Sequence, residues 1–283
     1  MPVDHKRING PEASLSYKLY SVDYLKALEK EIERTDRGNE EPRKIFLESG
    51  ILSNARGSAY IEMGNTKVTV AVFDPREIPK NNKHREEGIL YCYFKFASFS
   101  CAKRKLPQPD SDEKSYALAL KRALQPAVCR YTFPNFQVDV FVNVLENDGS
   151  ALAAAITAAG LALADAGIPM YDVITGACIG IKDDKMFVDP TANEEEICSL
   201  VGKTHGTMTV ARLSKLEQIS EIYQAGCLSL EAIEKALEML KSVNEEIAPL
   251  VQQIIVKKVA KQVKANKLEQ EKMDVTEIKD EKD

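Results

Sequence analysis

The run Asp148-Gly149-Ser150-Ala151-Leu152-Ala153-Ala154-Ala155-Ile156-Thr157-Ala158-Ala159-Gly160-Leu161-Ala162-Leu163-Ala164-Asp165-Ala166-Gly167-Ile168-Pro169 decides the fold. It reads as one helix with both ends marked. Ser150 can accept from the first exposed amides, Gly167 can take the left-handed conformation that stops a helix, and Pro169 has no N–H with which to continue it. Small apolar side chains on nearly every face leave no side for water, so the helix must be buried with neighbouring backbone close against it. Its amino end, opened by Gly149 and Ser150, then presents free amides and a hydroxyl inside a cleft, which is where an anion can bind.

Just upstream, Phe136 to Val144 alternates polar and apolar residues with period two, a strand leading straight into that helix. Further back, Ser58 to Phe73 holds two β-rich runs split by Gly64-Asn65, a hairpin signal, and Leu90 to Phe96 is a third strand. A helix is predicted from Asp112 to Leu124. Downstream lie strand-like segments at Val173 to Ile181, Met186 to Val188 and Met208 to Leu213, followed by Lys215 to Ile222. Ser229 then caps a long helix with apolar positions Leu230, Ile233, Leu237, Leu240, Ile247, Leu250 and Ile254, which Pro249 can kink. This order is an α+β pattern, and its glycines form neither a dinucleotide fingerprint nor a P-loop. Three parts are expected: an extension over residues 1–43, with Tyr20 to Leu28 its one helix-like piece, a folded domain over 44–256, and a charged, disordered tail over 257–283.

With 283 residues, 44% hydrophobic and 29% charged, the chain can bury a full core and has the composition of a soluble globular protein. Its apolar runs fall short of the roughly 20 residues needed to span a bilayer. The first ten residues are polar and charged where a secretion signal would be apolar, so an intracellular location is expected. Six dispersed cysteines (Cys92, Cys101, Cys129, Cys178, Cys198, Cys227) lack zinc-site spacing and read as reduced, mostly buried thiols. The three histidines stand apart, which argues against a histidine metal site and a Cys-His nucleophile. A net charge of −5 requires any nucleic-acid contact to come from a local basic patch.

The stretches Gly57 to Val68, Asp74-Pro75-Arg76-Glu77, Asp148-Gly149-Ser150 and Leu163 to Met170 fall in an order and spacing that resembles the RNase PH family of exosome ring subunits. The resemblance covers about residues 45–250. It implies an RNase PH-like domain of mixed β-sheets and packed helices, similar to ribosomal protein S5 domain 2. It further implies heterodimers with other RNase PH-like subunits inside a six-membered ring around an RNA channel, RNA-binding cap subunits as partners, no membrane contact, and no cofactor of its own. Location in the nucleus and nucleolus, and also the cytoplasm, follows from the same resemblance.

Active members of that family cut RNA from its 3′ end by phosphorolysis. They use a phosphate cradle at the start of the buried helix, an arginine clamp on RNA phosphates, and acidic residues. Electrostatic stabilisation of this kind usually supplies most of the rate enhancement in phosphoryl transfer. Here Ser150 is kept, but Ala151 stands where active members carry arginine, and Ser111 and Asp112 stand where they carry two adjacent arginines. Asp183 and Asp189 fall at the positions of the catalytic aspartates. The resemblance therefore implies a non-catalytic subunit supporting 3′-to-5′ RNA processing and degradation, in rRNA maturation and in mRNA and noncoding RNA turnover. The alternative is an active phosphate-dependent exoribonuclease using Asp183 and Asp189.

Each of these residues has a plainer role beside it. Ser150 is most simply a helix cap, Asp183 a turn residue in Lys182-Asp183-Asp184-Lys185, and Asp189 a turn or helix-start residue. Lys103-Arg104-Lys105 is either a solvated loop or a sequence-blind RNA contact. Another guanidinium placed opposite Ser150, aimed at Asp183 and Asp189, would overturn the non-catalytic reading.

Overall fold

A computed structural model of the chain describes residues 34, 37–78, 85–101, 104–183, 185–200 and 204–280, with side chains in the last helix described to 264 except at 262. The chain divides after Gly38. On the near side of that division the Arg34 guanidinium donates to the Gly38 carbonyl (3.2 Å). The helix-like piece at Tyr20 to Leu28 lies outside the described residues.

The larger unit, Asn39–Asp283, holds two β-sheets. The first is built from β1 (Ile45–Ser49), β2 (Gly57–Met63), β3 (Thr66–Val72), β4 (Arg76–Glu77), β5 (Ile89–Phe96) and β6 (Phe136–Glu146). Its order is β1-β2-β3-β6-β4, with β5 parallel to β6 on the latter's other side. The Gly64-Asn65 turn joins β2 to β3 as an antiparallel hairpin, Met63 opposite Thr66, as the sequence predicts. Helix α1 (Ser111–Leu124) packs on β5. Asp110 and Glu113 form a reciprocal capping box at its start, and the buried Glu113 carboxylate also accepts from the Phe96 amide (3.0 Å) and pairs with Lys95 (2.8 Å).

Helix α2 (Ala151–Asp165) is the alanine-rich run, and every residue from Ala151 to Leu163 is buried. It lies between β2 and β3 of the first sheet and β7 (Ile174–Lys182) of the second. The close backbone approach that its small side chains require is real: a Cβ on Gly57 of β2 would come within 2.4 Å of the Ala162 carbonyl oxygen. Gly167 ends the helix at φ +74°, as expected.

The second sheet runs β10-β9-β7-β8, with β8 (Lys185–Val188), β9 (His205–Leu213) and β10 (Gln218–Cys227) all antiparallel to their neighbours. Between β8 and β9 sits α3 (Ala192–Ser199), a helix not predicted from the sequence. Thr191 caps it and forms a capping box with Glu194, and that Thr-x-x-Glu spacing is a local signature of a helix start.

The last helix, α4 (Leu230–Asp280), starts at Ser229, whose hydroxyl accepts from the Ala232 amide (3.3 Å). Its buried face is Ala236, Leu240, Val243, Ile247 and Val251, whereas Leu230 and Leu250, expected in the stripe, are exposed. The helix passes through Pro249. It also continues past Lys257, where a disordered tail was expected. Once a helix is nucleated each further residue adds a hydrogen bond cheaply, and Lys258 fastens this stretch to Asp165 at the end of α2.

Candidate phosphate cradle

Gly149, at φ +82°, turns the chain from β6 into α2, and a Cβ there would sit 2.3 Å from the Pro190 carbonyl oxygen. Ser150 follows in the left-handed conformation, at φ 54°. Ser150 occupies the N-cap position, but its hydroxyl does not cap. It donates instead to the Pro190 carbonyl (3.2 Å), while its amide donates to Glu195 Oε1 (2.7 Å). The simple capping role is corrected by this geometry: a left-handed residue with its hydroxyl tied to the β8–α3 connection cannot turn that hydroxyl onto the helix amides.

A guanidinium does reach this place. Arg43, near the start of the larger unit, donates from Nε to Asp189 Oδ2 (2.8 Å), from Nη2 to Asp189 Oδ1 (2.7 Å) and the Gly149 carbonyl (3.3 Å), and from Nη1 to the Asp148 carbonyl (2.8 Å) and Thr66 Oγ1 (3.4 Å). A guanidinium has five N–H bonds, and all five are committed. The backbone amide of Arg43 adds a further bond to Asp189 (3.1 Å). Asp189 is 2% exposed. Burial pushes its carboxyl up, but the Arg43 bonds outweigh burial and hold it below the usual carboxylate range.

The carboxylates expected to act together are far apart in role. Asp183 sits on the exposed turn between β7 and β8 with φ +51°, its amide and carbonyl both bonded to Thr204 (2.6 and 2.7 Å). The carboxylates that meet at the start of α2 are Asp189, Asp148 and Glu195. Glu195 is the second residue of this cluster, after Arg43, that sequence reading missed. It lines a cavity of about 330 Å³ that opens on the first turn of α2 and is also walled by Tyr116, Cys178, His205 and Tyr223. Burial is the chief influence on Glu195 and, with Asp189 and Asp148, lifts its carboxyl to about 7 against the pull of the Ser150 amide and Arg43. Burial likewise pushes the Cys178 thiol up to about 12, so it is no nucleophile.

Ser111 and Asp112 lie exposed in the first turn of α1. Asp112 is one turn before Tyr116, on the same side of the helix, so a negative charge stands near the cavity mouth. Of the basic loop, Lys103 lies outside the described residues and Arg104 is exposed. Lys105 is turned inward, its ammonium 4.5 Å from the centre of the Phe96 ring and 3.7 Å from Asp110.

Comparison with known proteins agrees with this architecture. Residues 41–169 match the model of the 3′ exoribonuclease family, domain 1. The chain is 35% identical to human exosome complex component MTR3 over 276 residues, covering 91% of this chain and 96% of that protein. The chain belongs to the RNase PH family of exosome components. It is also 38% identical over 201 residues to exosome complex component Rrp41 of Nitrosopumilus maritimus, covering 71% of this chain and 80% of that one. Two solved RNase PH-family structures share the fold. Rice Rrp46 superposes with a TM-score of 0.66 at 24% identity, over 78% of this chain and 98% of that one. A chain of the Archaeoglobus fulgidus exosome with RNA bound to its active site gives 0.68 at 22%, over 80% and 95%. The likeness of this RNase PH-family chain to MTR3, nearly end to end, accords with the resemblance of Ser150 to Ala155, Met170 to Asp172 and Val188 to Thr191 to that branch of the family.

Proposed function

We propose that the protein is a non-catalytic structural subunit of the RNA exosome ring. It pairs with other RNase PH-like subunits, meets RNA-binding cap subunits, and helps to wall an RNA channel in support of 3′-to-5′ processing and degradation in nucleus, nucleolus and cytoplasm. The observation that carries the reading is the state of the cradle's donors. Phosphorolysis needs cationic donors that can close on a doubly charged nucleophile. Ala151 supplies none, Asp112 is repulsive, and the guanidinium that reaches the cradle has every N–H spent on Asp189, Thr66 and two backbone carbonyls. Arg43 thus aims at Asp189 but does not restore the clamp, because it is a structural tie with nothing left to offer a phosphate.

The test is a ring assembled around this chain, given labelled RNA and inorganic phosphate, with the other family subunits inactivated. No nucleoside diphosphate release above the no-phosphate control is expected. Phosphate-dependent release abolished by Asp189→Ala would establish the catalytic alternative instead. In the same ring, Arg104→Ala is expected to weaken RNA crosslinking more than Lys105→Ala, because Lys105 is held against Phe96 and Asp110. Equal effects would refute that ordering.

A further inference from the structure

We infer that Glu195 is an internal anion that occupies the remnant of the phosphate cradle and keeps a free oxyanion out. This rests on the non-catalytic reading and goes beyond it by naming what fills the site. The Ser150 amide is the natural donor for an anion at the start of α2, and its acceptor is Glu195 Oε1 at 2.7 Å. The contact is built rather than incidental. The left-handed backbone of Ser150 directs that amide out of the helix, and its hydroxyl is fixed on Pro190. On the facing side, the Thr191–Glu194 capping box and the bond from the Glu195 amide to the Thr191 carbonyl (2.8 Å) place Glu195 in the first turn of α3, against the cradle.

Two anions cannot share one amide. An incoming oxyanion would also meet Asp148 and Asp189, so that three carboxylates stand against the fully engaged guanidinium of Arg43. The cavity beside Glu195 is large enough for a tetrahedral oxyanion, so charge and the occupied donor, not lack of space, exclude it. Burial of Glu195, which lifts its carboxyl to about 7, adds a consequence: near neutrality a proton weakens the lock. Arg43, Asp148 and Asp189 face it from one side, and Tyr116, Cys178, His205 and Tyr223 share the cavity on the other.

The experiment uses the full chain, wild type and Glu195→Gln, titrated with sodium sulfate, which keeps its double charge across the range, against sodium chloride at matched ionic strength. The readout is the thermal midpoint, which rises with a ligand that binds only the folded state. At about pH 8 the wild type is expected to respond as it does to chloride, and Glu195→Gln to bind sulfate at least about tenfold more tightly; toward about pH 6 the wild type approaches the variant. Equal responses at about pH 8 would overturn the inference, and so would a pH dependence that Glu195→Gln retains. A second measurement needs no variant: in 15N-labelled wild type the Ser150 amide resonance is expected to titrate near pH 7, and a flat profile would refute the contact. These results concern Glu195 alone, whereas diphosphate release by the wild-type ring would sink the non-catalytic reading whatever sulfate does.

Discussion

Replacing Arg43 by Met should remove the tie that holds the cradle together while keeping much of its bulk. Asp189 is 2% exposed, and its two oxygens take three bonds from Arg43. Breaking a buried pair by removing one partner costs about 3–5 kcal/mol, because the remaining charge is left uncompensated. The Asp148 carbonyl also loses its Arg43 donor, whereas the Gly149 carbonyl keeps the Thr66 hydroxyl (2.8 Å) and water can reach Asp148, so about 3 kcal/mol is the working figure. That is a large share of a total stability of about 5–15 kcal/mol.

The pH dependence gives a sharper signature. In the wild type the folded-state pKa of Asp189 is depressed, so its contribution is present above about pH 4 and is lost as pH falls through the folded value. Without Arg43, burial outweighs the remaining hydrogen bond from Ser150 and raises the Asp189 pKa. The folded state then holds the proton longer than the unfolded one, and stability falls as pH rises from about 4 toward neutrality. Urea unfolding of both proteins at several pH values between about 4 and 8 checks this. A loss below about 1 kcal/mol, or an unchanged slope against pH, would refute the argument.

Gly149→Ala should cost more than about 2 kcal/mol, from the positive φ and the 2.3 Å approach to the Pro190 oxygen, whereas Gly167→Ala, whose Cβ would meet nothing within 4 Å, should cost only the left-handed strain of about 1 kcal/mol; urea midpoints compare them. Glu195→Gln should be more stable than wild type at about pH 8 by about 2 kcal/mol. The folded Glu195 carboxyl lies near 7, above its ordinary 4.5, so both states are neutral in acid and the penalty grows as pH rises between the two values. A gain that persists at about pH 4 would contradict this origin.

Much of the fold was legible along the chain because its signals are local. The alanine run declared its own burial, the Gly64-Asn65 pair its hairpin, and the alternation from Phe136 its strand, each within a few residues. Helix α3, though not predicted, carries an equally local signal in Thr191 and Glu194. The reach of α4 beyond Lys257 has no such signal, because composition there argues for solvation and the tie to the body is the distant Lys258–Asp165 pair.

The site divides in the same way. Sequence by itself determined that Ala151 has no cation to offer in any conformation and that Ser111 and Asp112 carry no basic group. What the cradle contains was decided by tertiary structure alone: Arg43 and Asp189 are 146 residues apart, and Ser150 and Glu195 are 45 apart. Nothing in the charged neighbourhood of Arg43, or beside Glu195, distinguishes a solvated side chain from one engaged inside the fold. Charge becomes structural only when folding removes it from water and leaves an opposite charge or a free amide as its one compensation.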